Sequence, residues 1–204
     1  MSKSKPPKTE PPKRVRIIGG HWRSRLLAVL DSPGLRPTTD RIRETLFNWL
    51  GQDLSGLNCI DLFAGTGALG FEAASRRADL VVLFEKDKRA YANLVNNFQQ
   101  LQSSPVHGTV EILHGNSLDY LKQQANCSSN LIFIDPPFQD EVLLNHALME
   151  AGRVCDDSHG GGIYVEFPSS RPREEVEALL PGWHCGKYLE AGQVKACLFR
   201  SGKG

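Results

Sequence analysis

The chain has 204 residues, of which 40% are hydrophobic and 23% are charged, and its formal net charge is +1. This composition is typical of one globular domain, alone or with a small extension. No apolar run approaches the ~18 residues that a membrane span needs, and no signal-peptide hydrophobic region is present, so we expect a cytoplasmic protein without a membrane partner.

The cysteines and histidines show no pattern of a structural site. The five cysteines are widely spaced and include no C-x-x-C pair, which argues against a disulfide framework and against a zinc site. The six histidines are scattered without metal-ligand spacing. We therefore expect reduced thiols and no metal.

The net charge conceals a difference between the two ends of the chain. Residues 1–43 contain eleven Lys or Arg and three acidic residues, which gives a net charge of +8, whereas the remainder carries −7. Such asymmetry indicates a polyanionic partner. Residues 1–14 are rich in Pro and Lys, and we expect them to form a disordered basic tail.

Residues 15–35 are predicted to form a basic β-hairpin. Basic and apolar residues alternate on both sides of Gly19-Gly20, as in two short strands that a turn connects. Arginine binds phosphate bidentately and stacks on bases, so the hairpin is a candidate RNA-binding element. The alternative is an ordinary charged surface. The candidate RNA-binding residues are Arg14, Arg16, Trp22, Arg23, Arg25, Arg36 and Arg41.

An amphipathic helix is predicted at residues 41–50. Its apolar face, which should enter the core, consists of Ile42, Leu46, Trp49 and Leu50. Thr39 and Asp40 are suitable N-cap residues. The polar groups around this helix N-terminus could bind a carboxylate or a phosphate.

A strand, a glycine loop and a helix follow. The strand at residues 57–62 leads into Gly65-Thr66-Gly67, and the next strand ends at Glu85, where an acid can accept hydrogen bonds from ribose hydroxyls. The G-x-G-x-x-G spacing alone also fits a dinucleotide site. Asp61, just before the loop, would repel a pyrophosphate but favour a cationic ligand. The pattern therefore indicates S-adenosylmethionine, which has a sulfonium, an ammonium and no phosphate, rather than NAD.

Strands and helices continue to alternate in the second half of the chain. Asp87 can cap the next helix, and Asn116-Ser117 could either bind an adenine ring or serve as an ordinary N-cap. The last two strands are joined too tightly for a helical crossover and must be antiparallel. We therefore predict an α/β fold with a seven-stranded, mostly parallel sheet that ends in a C-terminal antiparallel hairpin.

Asp135-Pro136-Pro137-Phe138 follows an apolar strand at residues 131–134. At the carboxyl edge of an α/β sheet, where ligands bind, this tetrapeptide supplies a carboxylate, a stiff carbonyl and an aromatic face. A base with an exocyclic amine needs acceptors for its N–H groups and a ring to stack on. The alternative is a proline turn with a core phenylalanine. These four residues alone do not distinguish guanine from adenine.

Four stretches together resemble one family. Residues 16–25, 35–50, 61–70 and 135–138 look like motifs of the bacterial, RsmD-like methyltransferases that modify the guanine N2 amine in 16S ribosomal RNA. The similarity covers nearly the whole chain from residue 14 onward. The Asp-Pro-Pro-Phe motif is shared with adenine-N6 and cytosine-N4 DNA enzymes, whereas the N-terminal motifs narrow the choice.

The resemblance implies a class I, Rossmann-like, S-adenosylmethionine-dependent methyltransferase domain at residues 36–204. Its substrate would be guanine 966 of 16S ribosomal RNA, within the small subunit or an assembly intermediate, and the protein would be a monomer. The implied catalytic residues are Asp135, Pro136, Pro137 and Phe138. The implied cofactor-binding residues are Thr38, Thr39, Arg43, Asp61, Phe63, Gly65, Thr66, Gly67, Glu85, Lys86, Asn116 and Ser117.

Three other functions compete with this interpretation. The nearest is an amino-methyltransferase that acts on adenine in DNA or RNA. A non-catalytic ribosome-assembly factor is disfavoured because a binding module has no need for Asp135, Glu85 and the glycine loop together. An NAD oxidoreductase predicts nicotinamide binding, which a titration of NAD against S-adenosylmethionine would test.

Overall fold

The computed structural model describes residues 14–30, 40–137 and 140–202. Within these ranges the strands are β1 (Arg14–Arg16), β2 (Leu26–Ala28), β3 (Asn58–Asp61), β4 (Leu80–Glu85), β5 (Thr109–His114), β6 (Leu131–Ile134), β7 (Gly162–Pro168), β8 (Trp183–Ala191) and β9 (Val194–Ser201). The helices are α1 (Asp40–Leu50), α2 (Ala68–Ser75), α3 (Lys88–Leu101), α4 (Ser117–Gln123), α5 (Glu141–Val154) and α6 (Arg173–Glu177).

The described part of the chain builds a central sheet of seven strands in the order β5-β4-β3-β6-β7-β9-β8. Strands β3 to β7 run parallel, whereas β9 pairs antiparallel with both β7 and β8. The prediction of a mostly parallel sheet with a C-terminal antiparallel hairpin is confirmed. The strand order reverses between β3 and β6, and ligands bind at the carboxyl ends of strands at such a point.

Alternate residues of the strands enter two separate cores. One core contains α1, α2 and α3 together with Cys59, Leu83 and Phe133 of the sheet. The other core contains α4, α5 and α6 together with Ile60 and Ile132. Both faces of the sheet are thus covered, as an almost wholly apolar parallel sheet requires.

Helix α1 enters the first core by a wider face than its apolar spacing predicts. Ile42 and Leu46 are buried as expected, whereas Trp49 is only half-buried and Phe47 is completely buried. Arg43 is also buried, because the helix turns this side chain toward Glu72 of α2. None of the helices within the described ranges is long and apolar enough to cross a membrane.

Residues 14–28 form a hairpin with short strands, whereas residues 1–13 of the predicted tail and 31–35 of the predicted hairpin lie outside the described residues. Arg14 pairs with Ala28 and Arg16 with Leu26 across an antiparallel ladder. The hairpin contributes Ile17, Trp22 and Leu27 to the first core. It is therefore packed as part of the main fold, because its apolar residues share a core with α2 and α3.

Trp22 requires a correction to the predicted RNA-binding set. Its side chain is 1% exposed and makes edge-on contacts with Phe71 and Phe98, at centroid distances of 6.2 and 6.4 Å. Its indole N–H donates to the Ser104 carbonyl at 2.6 Å. A ring enclosed in this way cannot stack on a base, and we assign Trp22 to the core.

We expect Trp22→Ala to lower the free energy of unfolding by about 3–5 kcal/mol, since it removes a large buried ring and leaves a cavity. Urea unfolding followed by circular dichroism measures this change. Arg23→Ala, the matched control at the exposed neighbouring position, should change stability by less than about 0.5 kcal/mol. Equal effects of the two substitutions would contradict the assignment of Trp22 to the core.

Candidate active site at the carboxyl ends of the central strands

The glycine loop between β3 and α2 adopts a conformation that its glycines permit. Gly65 and Gly67 have φ angles of 53° and 86°, in the left-handed region. A Cβ atom on Gly67 would clash with the Phe71 ring, whereas a Cβ atom on Gly65 would meet no atom within 4 Å. The Ala64 N–H donates to the Phe84 carbonyl at 2.8 Å and holds the loop against β4. Gly65 therefore faces open space that a ligand can fill.

Asp61 holds the loop from below. Its carboxylate accepts a hydrogen bond from the Gly70 N–H at 3.1 Å and a longer one from the Phe63 N–H at 3.4 Å. The side chain is 1% exposed. Burial, together with the negative charges of Asp135 and Glu85, raises the pKa of Asp61 to about 7 against the opposing effect of the hydrogen bonds. A nearby cation would relieve this unfavourable burial of charge.

Glu85 ends β4 beside the loop and is half-buried. One carboxylate oxygen accepts from the Gly65 N–H at 3.0 Å, and the other accepts from the Asp87 N–H at 2.8 Å. Asp87 in turn caps α3 by accepting from the N–H groups of Arg89 and Ala90. Each carboxylate oxygen can accept more than one hydrogen bond, so Glu85 can still receive donors from a ligand.

The predicted adenine-side residues lie at the ends of β4 and β5. Lys86 and Asn116 are exposed. Asn116 serves as an N-cap, because its side chain accepts from the Leu118 N–H at 3.2 Å and donates to Asp119 at 3.1 Å. Ser117 is only 2% exposed at the first position of α4. Of the Asn116-Ser117 pair, the amide is therefore the side chain that a ligand can reach.

Arg43 requires a second correction. The side chain has no exposed surface, and it donates to the Arg16 carbonyl at 2.8 Å and to Asp40 at 2.6 Å. It also lies 4.0 Å from Glu72. These partners belong to β1, α1 and α2 rather than to the glycine loop. The guanidinium has no exposed surface, and its Nη2 group donates to Arg16 and Asp40, whereas Nε and Nη1 have no hydrogen-bond partner among the described residues. We assign Arg43 to the packing of the hairpin because of this burial.

Asp135 follows β6 at the same edge of the sheet and is half-buried. Strand β6 lies beside β3, with Phe133 opposite Asp61 in register. The charge of Asp135 raises the pKa of both Asp61 and Tyr164, as expected for a carboxylate between β3 and β7. Pro136 is buried, whereas Pro137 is exposed and its carbonyl accepts from the Asp140 N–H at 3.1 Å.

Phe138, Thr38, Thr39 and Arg36 lie outside the described residues. Phe63 and Thr66, by contrast, are described and half-buried in the loop. The structure thus brings Asp61, the glycine loop, Glu85 and Asp135 together at one edge, formed by the carboxyl ends of β3, β4 and β6.

The sequence analysis missed a buried polar pair on β7. The Tyr164 hydroxyl donates to Glu166 at 2.7 Å, and both side chains are buried on the face of the sheet that carries Phe133. Burial raises the pKa of Tyr164 well above its ordinary value, and the charges of Glu166 and Asp135 add to this effect. A glutamate within the apolar stretch 163–167 was the available signal.

Comparison with known proteins identifies the family. A family model described as "Conserved hypothetical protein 95" matches residues 15–200. The Escherichia coli K12 protein named "Ribosomal RNA small subunit methyltransferase D" is 40% identical over 193 residues, which cover 92% of this chain and 90% of that protein. The chain belongs to the ribosomal RNA small subunit methyltransferase D family.

Solved structures agree with membership of the methyltransferase D family. A putative methyltransferase from Escherichia coli, yhhF, has a TM-score of 0.75 and 36% identity, and the match covers 93% of this chain and 98% of that chain. A more distant putative methyltransferase, in complex with SAH, has a TM-score of 0.69 at 14% identity over 94% of this chain and 57% of its own. The second match shows the shared fold.

The raised pKa of Asp61 predicts a pH dependence of stability. Its ordinary value is 3.8, so the unfolded chain loses this proton near pH 4, whereas the folded chain keeps it up to about pH 7. The stability that Asp61 contributes is therefore at its full value below about pH 4. It decreases between about pH 4 and about pH 7, and it does not change further at higher pH. Between pH 5 and pH 8, the free energy of unfolding, measured with urea, should decrease more for the wild type than for Asp61→Asn. Parallel losses would contradict the raised pKa.

Proposed function

We propose that this methyltransferase D family member transfers a methyl group from S-adenosylmethionine to the exocyclic N2 amine of a guanine in 16S ribosomal RNA. The observation that carries the proposal is the position of Asp135, next to the acid-lined glycine loop and at the carboxyl edge of the sheet. The guanine itself, and guanine 966 as its position, are inferred from family resemblance rather than from the site.

The residues around the loop fit S-adenosylmethionine. Gly65 borders open space, and the buried charge of Asp61 favours a ligand that carries positive charge. Glu85 has the acceptor capacity that two ribose hydroxyls need. We infer that Gly65, Thr66 and Gly67 would hold the methionine part, with Phe63 beside it, and that Lys86 and Asn116 would flank the adenine. S-adenosylmethionine, when bound, supplies an electrophilic methyl group.

The role of Asp135 follows from the chemistry of the amine. A guanine amine is a poor nucleophile because its lone pair is delocalised into the ring. Acceptors for its two N–H groups would orient the nitrogen and favour a geometry in which its lone pair can attack the methyl group. We assign these acceptors to the Asp135 carboxylate and the Pro136 carbonyl. Phe138 would stack on the base after it leaves the RNA stack.

The exposed face of the hairpin supports an RNA-binding role. Arg14, Arg16, Arg23 and Arg25 are exposed, as is Arg41 at the start of α1. Arg23 also lines a groove of about 490 Å³ between the hairpin and α1, where Asn48 and Gln52 supply amide groups. Arginines and amides at such a surface can contact RNA phosphates. We expect the substrate to be the small subunit or an assembly intermediate. We also expect the protein to be a monomer and to act in the cytoplasm.

Asp135→Ala should lower the rate of methyl transfer by at least about 100-fold, because the substitution removes an acceptor that orients the amine. The affinity for S-adenosylmethionine should be retained. Methyl transfer to 16S ribosomal RNA and calorimetric cofactor binding measure the two quantities. Asp140→Ala is the matched control, since Asp140 caps α5 through the Leu143 N–H.

Normal turnover of Asp135→Ala would contradict the assignment. The same assay also tests which base is the substrate, because mapping of the methylated nucleotide identifies the base and the amine that carry the methyl group. A methyl group on adenine N6 would contradict the methylation of guanine N2 and support the alternative of an adenine methyltransferase.

Replacement of both Arg23 and Arg25 by Ala should weaken RNA binding and reduce the slope of log K against log[salt] by roughly 1.5, since two phosphate contacts are lost. Fluorescence anisotropy at several salt concentrations measures the slope. The control replaces Lys122 and Arg173, which lie on α4 and α6 on the other face of the sheet. Cofactor affinity should not change in either variant. An unaltered RNA titration would exclude these arginines from the interface.

A further inference from the structure

One buried amide connects the glycine loop to the hairpin. Asn97 of α3 is 1% exposed. Its side-chain nitrogen donates to the Thr66 carbonyl at 3.1 Å and to the Ala28 carbonyl at 3.1 Å. Its side-chain oxygen accepts from the Ala28 N–H at 2.9 Å. The amide therefore uses both donors and one acceptor position in contacts with two functional segments.

The position of each contact gives this bridge its significance. Thr66 lies between two glycines with left-handed φ angles, so its peptide orientation depends on local hydrogen bonds rather than on side-chain sterics. Ala28 lies in β2 directly opposite Arg14. A change in the orientation of the Thr66 carbonyl thus reaches the basic face of the hairpin through a single side chain.

The burial of Asn97 makes the bridge energetically important. A buried donor or acceptor that loses its partner costs about 1–3 kcal/mol, because water cannot replace the lost hydrogen bond. The loop and β2 therefore cannot move independently without leaving polar atoms of Asn97 or Ala28 unpaired. Two segments that must move together respond to each other's ligands.

We propose that Asn97 is a positioning residue that couples cofactor binding at the glycine loop to RNA binding at the hairpin. The coupling rests on the proposed function, in which the loop binds S-adenosylmethionine and the hairpin binds RNA. A cofactor that orders the loop also holds Asn97, and Asn97 then holds β2 in the position that contacts RNA. By linkage, each ligand raises the affinity for the other by the same factor.

The chain offers a matched control at Asn93, one helical turn before Asn97. Its side-chain nitrogen also donates to the Ala28 carbonyl, at 2.9 Å, which is a contact with the hairpin and not with the glycine loop. Asn93→Ala thus removes a hydrogen bond to β2 and leaves the contact between Asn97 and Thr66 in place. A difference between the two variants isolates the bridge from a general loss of support for the hairpin.

The test measures RNA affinity with and without saturating SAH, by anisotropy of a labelled 16S ribosomal RNA transcript. For the wild type and Asn93→Ala we expect SAH to tighten RNA binding about fivefold or more, within the usual range of allosteric coupling. For Asn97→Ala the ratio should approach one. A ratio that is the same in all three proteins overturns the inference.

A second measurement needs no variant and therefore does not depend on whether Asn97→Ala folds. Hydrogen exchange of residues 26–28 in the wild-type protein should slow by several fold when SAH is added. Bound SAH without this protection overturns the coupling and leaves the proposed function intact. Failure of both SAH and S-adenosylmethionine to bind would instead overturn the proposed function, and the coupling with it.

Discussion

The hydrogen bond from the Gly70 N–H to the buried Asp61 carboxylate is the contact on which the rest of the site depends. It joins the end of β3 to the first turn of α2, and it thereby sets the path of the glycine loop between them. A Cβ atom on Gly70 would lie 2.6 Å from Leu83, so the helix can approach β4 this closely only without a side chain there. The loop conformation, the direction of α2 and the position of Glu85 relative to Gly65 all follow from this approach.

Helix α2 transmits that geometry to the N-terminal hairpin. Its Glu72 accepts hydrogen bonds from the N–H groups of Ile18 and Gly19, each at 2.7 Å, and pairs with Arg76 at 2.8 Å. Ser75, one turn later, accepts from the Trp22 N–H at 2.8 Å. A buried carboxylate is tolerated only with such partners, so the hairpin and Arg76 together satisfy Glu72. The helix that begins at the glycine loop is thus also the support of the basic hairpin.

Negative charge is concentrated at the edge of the sheet where chemistry is proposed. Glu85, Asp61, Asp135 and Glu166 belong to β4, β3, the turn after β6, and β7, which are neighbours in the sheet. Burial raises the pKa of Asp61 and of Tyr164, and the charges of neighbouring acids in this group add to the effect. Such an arrangement disfavours anionic ligands and favours a cofactor that carries a sulfonium and an ammonium group. In the proposed function, the basic hairpin would separately supply attraction for the polyanionic RNA.

The sequence by itself determined the strand and helix pattern, the sheet type, the loop at residues 65–70 and the acids at positions 61, 85 and 135. It could do so because periodicity, glycine spacing and the residue types at strand ends are local properties. Only the tertiary structure decided which face a polar or aromatic residue presents. Trp22 and Arg43 are of residue types that are typical of binding sites. They are buried instead, because Phe71 and Glu72, from a distant part of the chain, enclose them. Asn97 shows the converse, since its two partners lie 31 and 69 residues away and no local pattern connects them.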